Sequence, residues 1–326
     1  MYGPCCRWLW TALIALLLGW ARAGAADAVS PRTLAPGVLT VIPSSVEEGE
    51  TSWGPVSIPE IVTGIPNLDW TPNYGPKSQT LLEKAKRVVY RHPVWCLEFA
   101  FKPLRMIEVD VPQPGGKMQR KLIWYLVYRV KNVGYDLNPV GAEDRWGHRL
   151  FTFEEVNFRT RRFFPRFVLR SLEYDKEYLD RIIPAAQRAI QKRENPGAKL
   201  HNSVEITQVE IPLSDERVDR SVWGVATWQD IDPRIDFFVV FVGGLTNAFQ
   251  TEDPPGAYKA GDPPGTGRVY RHKTLQLNFW RPGDPVLEHE REIRYGIPAD
   301  PDPVLQQQII ERYGLKARLD YAWVYR

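Results

Sequence analysis

Cysteine is scarce in this chain, with only three among 326 residues. Cys5 and Cys6 lie in an N-terminal segment that has the pattern of a signal peptide, so its removal leaves Cys96 alone. A single cysteine excludes an intrachain disulfide, so stability has to come from packing. Cys96 lies between Trp95 and Leu97 in an apolar stretch, which indicates a buried and unreactive thiol.

The short motifs of several enzyme classes are also missing. The chain has no G-x-S-x-G or S-x-x-K motif, which excludes the common serine-nucleophile signatures. It has neither a Walker A lysine loop nor G-x-G-x-x-G, so ATP or dinucleotide chemistry is not expected. Its five histidines never occur as H-E-x-x-H or H-x-x-x-H, which removes the usual zinc signatures.

The chain has no large excess of either charge. It has 42 lysines and arginines against 39 acidic residues, a formal net charge of +3. Arg7 and Arg22 leave with the N-terminal segment and no acid does, so the charge falls to +1. A near-neutral chain has no overall field that would gather nucleic acid, and no nucleic-acid partner is expected.

The N-terminus carries the clearest signal. Arg7 precedes the apolar run Trp8 to Trp20, and small residues follow at 21–26, which is the layout of a signal peptide covering 1–26. The run spans roughly 20 Å as a helix, less than the ~30 Å hydrocarbon core. An uncleaved membrane anchor is the alternative, and Arg22 argues against it. We expect an extracytoplasmic protein, periplasmic or secreted, that is not integral to the membrane after cleavage.

Residues 27–84 are expected to form an extended, proline-rich strap or linker that contains a short helix. The helix is predicted over 78–89, where Leu81, Leu82 and Ala85 share one face. The apolar residues of this segment argue against simple disorder. It either straps its own body or complements a neighbouring molecule.

The remainder of the chain is dominated by strand patterns. Trp95, Leu97, Phe99 and Phe101 alternate with Cys96, Glu98 and Ala100, which predicts a strand with two distinct faces. The segments at 122–130 and 237–242 are apolar on both faces and are expected to be central strands. Further strands are predicted at 106–111, 150–156, 163–172, 204–211, 222–228, 235–242, 269–280, 291–295 and 319–325.

Two helices interrupt these strands. One is predicted over 175–195, with Asp175 as its cap and a kink at Pro184. The other is predicted over 303–313, with Pro303 at its first position and Gly314 as its stop. The pattern predicts a mainly β protein, an antiparallel β-sandwich of immunoglobulin-like type with a few peripheral helices. We expect two units, 85–196 and 197–326; the alternative is one elaborated sandwich over 85–326.

Three long segments resemble a family of uncharacterised, predicted-secreted bacterial proteins. They are LEFAFKPLRMIEVDVPQPGGKMQRKLIWYLVYRVKNVG at 97–134, WGVATWQDIDPRIDFFVVFVGGLTNAFQ at 223–250 and LQLNFWRPGD at 275–284. The resemblance implies secretion but no activity. Tyr128, Val130 and Asn132 before Gly134 are also similar to strand ends of extracellular immunoglobulin-like modules.

Two charged clusters are candidate sites. Asp230, Asp232 and Asp236 alternate in a loop and could bind Ca²⁺, although the glycine and final glutamate of an EF-hand are missing. The alternative is a strand-entry loop whose acids cap backbone N–H groups or pair with Arg234. The basic run at 159–162, beside Phe163 and Phe164, could bind an anion or protect a strand edge.

Taken with the signal peptide, these patterns favour a non-catalytic interaction or structural protein of the cell envelope. Its partner would be another envelope protein or a surface polymer. The alternative is a carbohydrate-binding module or a glycan-active hydrolase, because exposed aromatic side chains stack on sugars. Glu154 and Glu155 are adjacent in a predicted strand and cannot face each other, so we predict no catalytic residue.

Overall fold

The structure is a computed structural model that describes residues 37–56, 88–146, 149–194, 196–215, 217–256, 266–282 and 292–326. The predicted signal peptide lies outside these residues, as does 78–87 of the predicted strap helix. The fold is mainly β, and every pair of strands in the described residues is antiparallel.

The strands in chain order are β1 (Thr40–Ile42), β2 (Ser52–Val56), β3 (Val88–Arg91), β4 (Glu98–Phe101), β5 (Arg105–Pro112), β6 (Met118–Lys131), β7 (Asp136–Glu143), β8 (Arg149–Val156), β9 (Thr160–Arg162), β10 (Arg166–Ser171), β11 (Glu177–Leu179), β12 (Glu210–Pro212), β13 (Val222–Gln229), β14 (Phe237–Gly243), β15 (Phe249–Glu252), β16 (Val269–Trp280), β17 (Arg294–Tyr295) and β18 (Tyr321–Tyr325). The helices are α1 (Pro184–Glu194) and α2 (Pro303–Arg312), with short 3-10 helices at Glu48–Thr51 and Glu205–Gln208.

Two sheets contain most of these strands. The first has the order β1-β4-β6-β13, with β5 also paired to β6. The second has the order β11-β10-β14-β16-β15, with β17 and β18 also paired to β16. Three two-stranded pairs, β2–β3, β7–β8 and β9–β12, complete the described strands.

One buried cluster contains side chains from both sheets. Leu126 and Tyr128 of β6 belong to it, together with Phe238 of β14 and Leu277 of β16, all of them fully buried. Aromatic rings meet across it, as where Trp124 contacts Phe238 edge-on at 5.6 Å. The inner faces of the two sheets therefore form a common core.

Each sheet also has a helix on its other face. Ala186 and Ile190 of α1 pack with Ile123, Tyr125 and Val127 of the first sheet. On the second sheet, Ile310 of α2 and the adjoining Tyr313 pack with Val168, Val239 and Phe241. This double burial explains why β6 and β14 are apolar on both faces, and both are central strands as predicted.

Several other elements agree with the sequence. Strands β13 and β16 match their predicted bounds closely. Helix α2 begins at Pro303, its N-cap Asp302 accepts a hydrogen bond from the Val304 N–H at 2.8 Å, and Gly314 follows it with φ of +72°. The interpretation of Cys96 is confirmed because its side chain is buried in the core.

Three predicted elements were wrong in part. The helix over 175–195 begins only at Pro184, since Asp175 adopts a φ of +49° and Leu179 lies in β11. The strand over 204–211 is a 3-10 helix followed by the short β12. Val88 and Val89, the predicted end of the strap helix, lie in β3.

Pro165 interrupts the strand predicted over 163–172, and a proline there favours an edge strand or a bulge. The structure differs from this expectation. Pro165 precedes β10, which begins at Arg166 and pairs with β11 on one side and β14 on the other. Within the predicted strap or linker of 27–84, β1 pairs with β4 of the same chain.

Neither helix of the described part of the chain is long and apolar enough to cross a membrane.

Candidate functional site

The three aspartates of the predicted calcium loop have different surroundings. The Asp230 carboxylate accepts hydrogen bonds from Lys121 Nζ at 3.0 and 3.1 Å. Asp232 pairs with Arg234 at 2.8 Å, and hydrogen bonds from that arginine lower the pKa of Asp232 to about 2. Burial raises the pKa of Asp236 from its ordinary value. Two of the three acids therefore already have a cationic partner.

Within the described residues, no three His, Cys, Asp or Glu side chains are grouped so that they could hold a metal ion. Calcium binding at Asp230, Asp232 and Asp236 stays a prediction from the sequence.

Three other residues singled out in the sequence, Cys96, Arg161 and Arg162, are buried or paired within the fold. Burial raises the pKa of the Cys96 thiol to about 12, so it stays protonated. Arg161 pairs with the buried Asp136 at 2.8 Å and lies over the Phe158 ring, while Arg162 pairs with Glu210 at 3.1 Å.

Glu154 and Glu155 lie next to each other in β8, opposite Asn138 and Leu137 of β7. Successive side chains of a strand point to opposite faces, so these carboxylates do not converge.

An open site lies on the outer face of the second sheet, beside α2. Two adjoining cavities of about 430 and 210 Å³ share Phe241 and Arg326 as lining residues. We call the two cavities together the outer groove. Its larger part is bordered by Tyr313 and Gly314 after α2, and its smaller part by His272 and Thr274 of β16.

Strand register explains how distant residues meet in the outer groove. Arg166 of β10 pairs with Gly243 of β14, and Thr274 of β16 pairs with Val324 of β18. Side chains two residues apart share a face, so Arg166, Val168 and Arg170 line the groove together.

Two glycines at the end of β14 keep the groove open. Gly243 leaves its floor without a side chain, and a Cβ there would meet only Arg166 and Thr274 atoms at 3.4 Å or more. Gly244 has a φ of +88°, and its Cβ would lie 2.0 Å from the Phe164 carbonyl oxygen. The turn at Gly244 therefore requires glycine, whereas Gly243 has room for a side chain.

The rim of the outer groove is basic. Its lining contains four arginines, Arg166, Arg170, Arg312 and Arg326, against the two acids Asp175 and Glu311. The floor beneath them contains apolar side chains, among them Val168, Val239 and Phe241.

Two of these arginines are already neutralised. Arg170 Nε donates to Asp175 at 2.9 Å, and Arg326 donates to Glu177 at 2.6 Å while lying 4.0 Å above the Phe241 ring.

The other two arginines remain available to a ligand. Arg166 is exposed and forms no ion pair within the described part of the chain. Arg312 likewise has no described carboxylate partner and lies 4.8 Å above the Phe237 ring. These guanidinium groups can each form a bidentate hydrogen bond with a carboxylate, sulfate or phosphate group.

Sequence reasoning did not find the outer groove. Arg166, Val168 and Arg170 alternate along one strand, and that pattern could have marked a basic strand face. Arg312 and Arg326 belong to a different helix and strand, and only the tertiary structure brings them to this face.

Comparisons of the chain with protein-family models, with curated proteins and with solved structures give no match.

Proposed function

We propose that this chain is an extracytoplasmic, non-catalytic binding protein of the cell envelope, and that the outer groove is its binding surface. Its signal peptide would be residues 1–26, and its partner would be an envelope protein or a surface polymer. The observation that carries the proposal is the groove itself. It is an open depression with an apolar floor, and Arg166 and Arg312 on its rim have no ion-pair partner among the described residues.

We further propose that the body is an immunoglobulin-like β-sandwich. Two antiparallel sheets that share one core support this assignment, and side chains such as Leu126 and Leu277 meet inside that core. Domains of this type act chiefly as binding modules outside the cytoplasm, which agrees with the predicted export.

The groove has features that favour recognition over catalysis. Binding sites combine an apolar surface with a few polar groups that fix orientation, and the outer groove has Phe241 and Val239 below Arg166 and Arg312. Much of the surface is already in place, because the strands that form its floor are held by paired backbone hydrogen bonds.

A blocking substitution tests the proposal. The exported chain, residues 27–326, would be mixed with a total envelope fraction, and the sedimented protein would be measured. Gly243→Leu should reduce sedimentation roughly tenfold, because its side chain fills the floor of the groove. Gly49→Leu is the matched control, since a Cβ at Gly49 has no atom within 4 Å and lies outside the groove.

The outcomes separate the parts of the proposal. If the parent chain does not bind envelope material, the binding function is wrong. If Gly243→Leu binds as well as Gly49→Leu, the groove is not the binding surface. Fractionation of cells producing the chain with and without residues 1–26 tests export separately, and equal cytoplasmic retention of both forms would contradict it.

A further inference from the structure

An aromatic cluster adjoins the open end of the outer groove. It consists of Trp53, Tyr90, His92, Phe249, Tyr270 and His272, and Phe249 lies at its centre. Trp53 stacks on Tyr90 with ring centroids 4.3 Å apart, and Tyr270 lies 5.6 Å from Phe249. Tyr90 and Tyr270 are 36% and 48% exposed, so part of the cluster faces solvent.

The cluster and the groove share one sheet face. Tyr270, His272, Thr274 and Gln276 alternate along β16, and the last three line the groove. Phe249 of β15 lies directly opposite His272. At ~3.3 Å per residue, the face extends roughly 20 Å from Gln276 to Tyr270, long enough for several sugar residues of an extended chain.

We propose that the outer groove and the aromatic cluster together bind an anionic polysaccharide. This inference rests on the proposed binding function and names the class of ligand. Acidic groups of the polymer bind Arg166 and Arg312, and a sugar ring stacks on the exposed face of Tyr270. Sugar rings present apolar C–H faces and hydroxyl edges, which suit aromatic side chains flanked by polar groups.

The charge pattern indicates that an anion would bind in the groove itself and would not be attracted to the whole surface of the chain. The whole chain has 42 basic and 39 acidic residues, so it is close to neutral. The groove nevertheless has four arginines against two acids. Arginine is the residue that best matches the planar oxygen pairs of carboxylate and the oxygens of sulfate.

The position of the groove favours a polysaccharide over an acidic peptide. Extended peptides are commonly bound by adding a strand to a free sheet edge. The groove floor lies on the face of the sheet, where β10, β14, β16 and β18 already pair with one another. The ligand is therefore recognised by arginine and aromatic side chains of the groove, and it does not pair with the protein main chain as an added strand.

Two pairs of polymers test the class of ligand by isothermal titration calorimetry. Polygalacturonate is compared with its fully methyl-esterified form, and dextran sulfate is compared with dextran. We expect at least one anionic polymer to bind residues 27–326, with its neutral counterpart at least roughly tenfold weaker. The first pair reports on carboxylate recognition and the second on sulfate recognition.

Charge-matched variants then locate the binding. Arg166→Gln/Arg312→Gln should weaken binding of the anionic polymer at least roughly tenfold and reduce its salt dependence. Arg120→Gln/Arg220→Gln is the control, because it removes the same charge from exposed arginines outside the groove. Tyr270→Ser should weaken binding about threefold to tenfold, and Tyr135→Ser, at another exposed tyrosine, should leave it unchanged.

Several results would overturn the inference. They are equal binding of charged and neutral polymers, equal effects of the groove and control arginine pairs, and binding of polyglutamate but of neither anionic polysaccharide. If the chain sediments with envelope material yet binds no anionic polymer, the ligand class is wrong and the proposed function stands. If it also fails to sediment, both are wrong.

Discussion

A buried ion pair links the N-terminal segment to the second sheet. Glu50 and Lys273 lie 2.5 Å apart, with side chains only 6% and 3% exposed. Tyr325 donates a hydrogen bond to Glu50 at 2.7 Å, and Lys273 donates one to the Ser45 carbonyl at 3.0 Å. These contacts join residues 45–50 to β16 and β18.

We predict that Glu50→Gln lowers the free energy of unfolding by about 3 kcal/mol, because it leaves the buried Lys273 ammonium without a counter-charge. Urea denaturation at pH 7 measures the loss. The double variant Glu50→Gln/Lys273→Met should recover most of it, since the buried charge is then gone. A single variant within about 0.5 kcal/mol of the parent would mean that the pair has little influence on stability.

Gly224 of β13 packs so closely against a buried tyrosine that it has no room for a side chain. A Cβ at Gly224 would lie 2.4 Å from Tyr128 Cζ, and Tyr128 is fully buried in the common core. Gly224→Ala should therefore lower the free energy of unfolding by about 1–3 kcal/mol through overpacking.

Gly243→Ala is the matched control for this substitution, because its Cβ meets atoms only at 3.4 Å or more. Thermal unfolding of the two alanine variants compares them directly. Equal midpoints would show that Tyr128 moves aside without strain.

At the scale of elements, α1 is linked to the first sheet by hydrogen bonds to the carboxylate of Glu194, its last residue. Glu194 is 3% exposed at its side chain and accepts hydrogen bonds from Lys102 at 3.1 Å, Arg105 at 2.8 Å and Tyr125 at 2.7 Å. Burial favours its protonated form, but the hydrogen bonds and the two cations outweigh burial and lower the pKa of Glu194.

We predict that Glu194→Gln lowers the free energy of unfolding at pH 7 by about 3 kcal/mol, because two poorly exposed cations lose their counter-charge. The native pKa is below the ordinary glutamate value of about 4.3, so the unfolded state takes up the proton first as pH falls. The contribution of Glu194 is thus complete above that value and disappears as pH falls through the lowered native pKa.

Urea denaturation of the parent and the variant from pH 3 to 7 measures the difference, which should shrink at the acid end. Glu108→Gln is the control, since Glu108 pairs with Arg120 at the surface, where ion pairs contribute about 0–1 kcal/mol. A difference between parent and Glu194→Gln that stays constant with pH would contradict the role of the ionised carboxylate.

The elements that the sequence predicted well have a strong local pattern. β14 and the middle of β6 are apolar on both faces, β16 has apolar residues at alternate positions in its buried half, and α2 has both a proline start and a glycine stop. One of the wrong elements was decided by a local side-chain contact. Asn202 accepts hydrogen bonds from the N–H groups of Val204 and Glu205, at 3.0 and 2.9 Å, and so begins a 3-10 helix where the β-branched residues indicated a strand.

The helix over 175–195 was overextended for a different reason, the pairing of distant strands. Leu179, Ile182 and Ile183 follow a helical spacing, but Leu179 pairs with Val168 as part of a sheet edge. Proline has no N–H and fits the first helical position, so Pro184 starts α1 and does not kink it.

Only part of the outer groove could be predicted from the sequence, because its residues come from elements whose packing the sequence does not show. A strand pattern shows which residues share a face, as Arg166 and Arg170 do. It does not show which face a helix leaves uncovered. In the second sheet α2 covers the Phe237 end, and no other described element covers the end with Thr274 and His272.

At the scale of the whole molecule, the two sheets and two helices form successive layers. α1 lies on the first sheet, the common core separates the sheets, and α2 lies on the second. Among the described residues α2 covers only part of the second sheet, and the remaining face supplies the outer groove. The same packing that buries β14 on both faces thus also defines the border of the groove.

The common core also bears on how the chain unfolds. It contains Leu126 from 85–196 and Leu277 from 197–326, both fully buried. If these segments share one core, neither can lose its packing while the other keeps it. We therefore predict a single cooperative transition in urea, with tryptophan fluorescence and far-ultraviolet circular dichroism giving the same midpoint.

Leu126→Ala and Leu277→Ala test the prediction of a single transition, because the two residues belong to opposite sheets of the common core. Each should lower the free energy of unfolding by about 2–5 kcal/mol and shift the whole transition, because each opens a cavity in the same core. Leu305→Ala, at a residue of α2 that is 47% exposed, is the control and should shift it by less than about 0.5 kcal/mol. Two separate transitions, with each core variant moving only one of them, would mean that 85–196 and 197–326 fold as independent units.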